Sequence, residues 1–167
     1  MDNSTSELAV EAPIYWKYIV LPIVTLIISC CFSLYLFNKK KNDDYLSYLD
    51  KHLDDIIKLS MSYPYVEHAD FCNSWSAEMV KTEKNDEILE KYLHYNIFSN
   101  LVFNYLARVA NHCKYDIDKI QEIINFRDWA RLHKKIWYDP LNDQNENINS
   151  YTKEFVSLMR SEIGESK

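Results

Sequence analysis

Residues 18–37 read YIVLPIVTLIISCCFSLYLF, twenty positions without a charged side chain, and Lys39, Lys40 and Lys41 follow almost at once. A helix of about 20 residues rises about 30 Å, the thickness of a bilayer's hydrocarbon core. Residues 22–32 are apolar on nearly every face, which an amphipathic helix of a soluble core is not. A cleaved signal peptide has a shorter apolar core and a small-residue cleavage site, and here lysines stand in that place. The expectation is one spanning helix over residues 14–38.

Charge on the two flanks sets its direction. Asp2, Glu7 and Glu11 precede the run against Lys17, whereas three consecutive lysines follow it. Positive charge stays on the cytoplasmic side of a spanning helix. Residues 1–13 are therefore expected to form a short extracytoplasmic tail, with everything after the helix in the cytoplasm. Tyr15, Trp16 and Tyr18 fall where an aromatic belt meets the outer interface, and Tyr35 and Phe37 where it meets the inner one. Pro22 falls near the helix start, where a missing N–H costs least.

About 130 residues of the 167 follow the anchor, enough for one domain with its own core. Beyond residue 37 there are 18 basic and 22 acidic residues, a net −4, so a general nucleic-acid coat is excluded and an anion site has to be a local patch. One glycine and four prolines argue against a turn-rich β protein. No Cys-x-x-Cys pair occurs, and Cys72 and Cys113 fall in the part where thiols stay reduced.

The remaining pattern is helical. Asp43 and Asp44 open an expected helix to about Ser60, with Leu46, Leu49, Leu53 and Ile56 as its seam; residues 39–62 form a basic juxtamembrane segment and connecting helix. A domain over residues 63–167 follows. Its second helix covers about Val66 to Val80, with Phe71, Cys72, Trp75 and Met79 on its apolar side. A third covers about Glu87 to Cys113, apolar on more than one face and long enough that a kink is plausible. A fourth starts at Asp116 and carries Ile117, Ile120, Ile124, Trp129, His133 and Trp137 as far as Tyr138-Asp139-Pro140. The asparagine-rich residues 141–149 read as a loop, and a last helix is capped by Ser150 and stopped by Gly164. The whole is expected to be all-α: one transmembrane helix and a cytoplasmic bundle of about five helices.

The segment RDWARLHKKIWY, Arg127 to Tyr138, carries the chemistry. Arg127, Arg131, Lys134 and Lys135 stand against Asp128 alone, a local charge of 4 − 1 = +3. Trp129, His133 and Trp137 share one helical face at i, i+4 and i+8. Cations beside aromatic planes suit a nucleotide, the cations meeting phosphate and the rings stacking on bases. The same pattern also describes a helix whose tryptophans and histidine enter the core while its bases are solvated. A second row, Asn100, Asn104 and Arg108, either lines a pocket or ties neighbouring segments to the central helix, and His112 lies near its end. Arg127 and His133 also match the Arg-x(4–6)-His spacing of HEPN nucleases, in which His activates a ribose 2′-OH and Arg steadies phosphate charge. His-Glu-x-x-His, Walker and Gly-x-Ser-x-Gly motifs do not occur, and His68 with Cys72 has no second pair to complete a metal site. No cofactor or metal is expected.

The anchor with its KKK triplet, the central YLHYNIFSNLVFNYL and the segment WARLHKKIWYDP together resemble the membrane-anchored effectors of type III CRISPR antiviral systems that sense cyclic tetra-adenylate. The resemblance covers the whole chain in architecture. It implies a non-catalytic effector in the inner membrane of a bacterial cell, and a symmetric tetramer presenting one patch per subunit to a four-fold ligand. It implies that ligand binding disrupts the membrane or arrests growth. Arg127, Trp129, Arg131, His133, Lys134, Lys135 and Trp137 are the expected ligand residues, with Asn104, Arg108 and His112 secondary. A membrane-tethered RNase and a bitopic protein-interaction adaptor are the alternatives.

Overall fold

The structure is a computed structural model, and it describes residues 16–143 and 145–164. The expected outer tail and Tyr15 lie outside those residues. Among the described residues there are nine α-helices and no strand, so the all-α class stands. The described residues divide into two compact units, with the boundary between Ser47 and Tyr48.

A π-helical turn, Trp16–Val20, leads into α1, Leu21–Ser62, whose residues up to Ser47 belong to the first unit. One helix is long and apolar enough to cross a membrane, and its apolar stretch is not buried against protein. Leu26, Ile28, Phe32 and Leu34 are all at least 60% exposed, an apolar surface that is costly to hold in water. Pro22 sits in the first turn of α1, and Thr25 Oγ1 donates to the Leu21 carbonyl oxygen at 2.9 Å. The helix expected to open at Asp43 has no start of its own. Asp43 and Asp44 are interior residues of α1, because a continuous helix satisfies their backbone N–H groups without a cap.

The second unit is built around α4, Asp86–His112, which runs its full 27 residues as a single α-helix. Asn85 caps it, accepting from the N–H groups of Glu87 and Ile88. Tyr92, Tyr95, Phe98, Val102, Phe103, Leu106 and Val109 are buried along it. From the C-terminal part of α1, Leu49 and Ile56 are buried too.

The expected second helix is three pieces: a 3₁₀ turn Pro64–Glu67, α2 Ala69–Ser74 and α3 Ala77–Thr82. The break has a tertiary cause. Trp75 Nε1 donates to the Asp139 carbonyl oxygen at 2.9 Å, and the Ala77 N–H donates to Asp139 Oδ2 at 2.8 Å. Asp139 therefore caps α3 from more than 60 residues away. Met79, expected inside, is exposed.

The expected fourth helix is likewise divided into α5 Ile117–Ile123, α6 Phe126–Leu132 and α7 Lys134–Tyr138. Asn125 ends the first piece by offering its side chain to the Asp128 N–H. Within the stretch expected to be a loop lie a short helix, α8 Glu146–Ser150, and the buried Asn147, whose Nδ2 donates to the carbonyl oxygens of Ile136 and Trp137. The last helix, α9 Lys153–Ile163, is capped by Thr152 rather than Ser150 and stops at Gly164, whose φ of 91° only glycine adopts without strain.

Candidate functional site

α6 and α7 distribute the basic-aromatic segment over two environments. Phe126 and Ala130 anchor α6 in the core, which leaves Arg127, Asp128 and Arg131 exposed and Trp129 half-buried. In α7, Ile136 and Trp137 go inward while Lys134 and Lys135 are exposed.

Two of the seven expected ligand residues are interior. Trp137 is fully buried, with Phe103 5.0 Å and Phe155 5.9 Å away between ring centroids, so neither face of its indole is open for stacking. His133 is fully buried at the junction of α6 and α7. Its Nδ1 lies 3.0 Å from the Tyr95 hydroxyl, and Nε2 has no protein partner. Burial pulls its pKa down to about 4, so the ring is neutral at pH 7. Cys72 packs into the same interior, its Sγ donating to the Val66 carbonyl oxygen, and burial pushes its thiol up to about 11.

The arginines are held by the last helix. Arg127 Nε donates to Glu162 Oε2 at 2.7 Å, and Arg131 Nε donates to the Glu162 backbone oxygen at 3.0 Å. Arg127 and His133 are consequently not presented together: one pairs at the surface and the other is a neutral core residue. The second row also makes ties. Asn104 Oδ1 accepts from Tyr151 Oη at 3.2 Å, while Arg108 meets Tyr48 Oη, His52 Nε2 and the face of the Tyr48 ring. His112 closes the last turn of α4.

Trp129 and Arg131 do share an open groove, of about 490 Å³. Asp128, Trp129, Arg131 and Leu132 form one side of it, and Glu67, Ala69 and Asn73 the other. Burial raises the Glu67 carboxyl above its ordinary range. The groove offers a half-exposed indole, a guanidinium tied to the Glu162 backbone through Nε, two carboxylates and an amide. Such a set can stack on a flat ring, accept hydrogen bonds from its amino groups and hold an anion at the arginine. Glu67 and Asn73 carry no motif and lie about 60 positions from Trp129, so only the folded chain brings them in. Among the described residues no three His, Cys, Asp or Glu side chains gather as a metal site requires. No family model, no curated protein and no solved structure matches this chain, so its functional reading rests on its own residues.

Proposed function

We propose that this chain is a membrane-anchored effector whose helical domain, on the cytoplasmic side of the inner membrane, binds a cyclic oligoadenylate and passes its occupancy to the bilayer. The observation that carries this reading is the groove that Trp129 and Arg131 both line. The indole takes an adenine by stacking, worth about 1–3 kcal/mol per base. The acceptors of Glu67, Asn73 and Asp128 suit its exocyclic amine, and Arg131 suits a phosphate. Lys134 and Lys135 follow in α7, exposed, and extend the basic edge. The net charge of −6 selects against long polyanions, so only a ligand with local complementarity gains. A ring of four identical nucleotides has one equivalent unit for each subunit of a symmetric tetramer. Two features support transmission: α1 has no loop between its apolar stretch and Leu49 and Ile56, and those residues pack in the domain.

The test is a thermal-shift series on full-length protein in nanodiscs. Cyclic tetra-adenylate at a hundred times its Kd adds about 2.7 kcal/mol of stability. Trp129→Ala and Arg131→Gln remove the shift while leaving the unliganded protein folded. The reading fails if no cyclic oligonucleotide raises the melting temperature, or if both variants still respond.

A further inference from the structure

Along one face of α4 the exposed residues are complementary in chemistry about Ile97. Leu93 and Leu101 stand four positions to either side of it, and the three are 40%, 57% and 38% exposed. Seven positions out stand Glu90 and Asn104, and eleven positions out Asp86 and Arg108, all exposed. Steps of three and four keep these positions on a single stripe.

We propose that two copies of this chain pair through this stripe, α4 against α4, antiparallel, with a twofold axis at Ile97. In such a contact residue 97 + k faces residue 97 − k of the other copy. Ile97 then meets Ile97, Leu93 meets Leu101, Glu90 meets the amide of Asn104, and Asp86 meets Arg108. Every facing pair is complementary, and each occurs twice. Parallel pairing of the same stripe would set Asp86 on Asp86 and Arg108 on Arg108, like charges that repel. A guanidinium has five N–H donors, so Arg108 serves Tyr48 and His52 within its own chain and still reaches a carboxylate. Three apolar side chains make a small contact. Copies tethered to one surface need less affinity than free ones, because tethering raises the effective concentration. The contact closes with two copies; a tetramer would use another surface as well. The pairing does not depend on the nucleotide reading.

Cysteine cross-linking of the full-length chain in nanodiscs tests the register, in a Cys30→Ser/Cys31→Ser background. Ile97→Cys forms a disulfide dimer under mild oxidation, well above an off-stripe control, Ser157→Cys. Leu93→Cys and Leu101→Cys each cross-link poorly alone and efficiently when mixed. Separately, adding Ile97→Glu to the Leu93→Cys and Leu101→Cys chains in nanodiscs abolishes the cross-link of the mixture with the helical circular dichroism unchanged. The proposal is overturned if Ile97→Cys links no better than Ser157→Cys. It is equally overturned if Leu93→Cys and Leu101→Cys link as readily alone as mixed, or if the mixture links undiminished in folded chains that also carry Ile97→Glu.

Discussion

His133 shows how far a single residue departs from what its spacing suggests. On paper it completes a row with Trp129 and Trp137. In the fold its Nδ1 faces Tyr95, and burial holds its pKa near 4 against an ordinary 6.5. The unfolded chain therefore binds a proton below about pH 6.5 that the native state refuses until about pH 4. Stability contributed by neutral His133 is full above pH 6.5 and falls as pH drops through that window, by about 3 kcal/mol in all. Melting temperatures between pH 7 and 4 should show that decline, and His133→Phe should flatten it while lowering stability at pH 7, because the Tyr95 hydroxyl loses its partner. The two tryptophans separate in the same way. Trp137→Ala, emptying a fully buried site, should cost about 3–5 kcal/mol in chemical denaturation. Half-buried Trp129→Ala should cost much less and act on ligand binding. Periodicity placed both on one face, and it could not say which end of that face meets solvent. That is decided by the turn at His133 and by Phe103 and Phe155 closing over Trp137.

Among the elements, α4 was legible to within one residue at each end, because its apolar positions recur without interruption; its cap, Asn85, was not. The broken helices were not. No proline or glycine marks Trp75–Ser76 or Ile124–Asn125; the breaks come from hydrogen bonds with Asp139 and from the Asn125 side chain. Asp139→Ala should therefore loosen α3 by about 1–2 kcal/mol, read as faster amide exchange over Ala77–Thr82. The exit from α4 is a second case. Lys114 and Tyr115 turn the chain there at φ 55° and 61°, the left-handed region that glycine usually fills, and the Tyr115 N–H donates to the Ala110 carbonyl oxygen at 2.7 Å. Tyr115 is further held by Thr152, 3.0 Å from its hydroxyl, whereas Lys114 is exposed. Lys114→Gly removes the Cβ clash and should stabilise the domain by about 1 kcal/mol, measured as a shift of the urea midpoint at constant m-value.

At the scale of the whole molecule an exposed apolar stretch, long enough to cross a membrane, precedes a domain with its own core. Among the described residues the buried core comes from Leu49 onward, and the apolar stretch of α1 is exposed. The sequence showed this division because an unbroken apolar run is legible without knowing any contact. The groove was half legible: Trp129 and Arg131 were in view, whereas Glu67 and Asn73 join them only through the packing of α2 on α6. If the division is physical, each part behaves according to its own solvent. A chain starting at Tyr48 should be water-soluble, keep its helical circular dichroism and melt in one cooperative transition, since it retains every buried residue of the core. The full-length chain should stay with the membrane pellet after alkaline carbonate washing, and replacing Leu26 and Phe32 with aspartate should release it. Aspartate at the centre of a spanning helix costs about 3 kcal/mol on the insertion scale, so two of them outweigh much of what the apolar run gains. If the unaltered chain appeared in the carbonate supernatant, residues 18–37 would have a protein partner as their solvent, and the anchored reading of the molecule would be wrong.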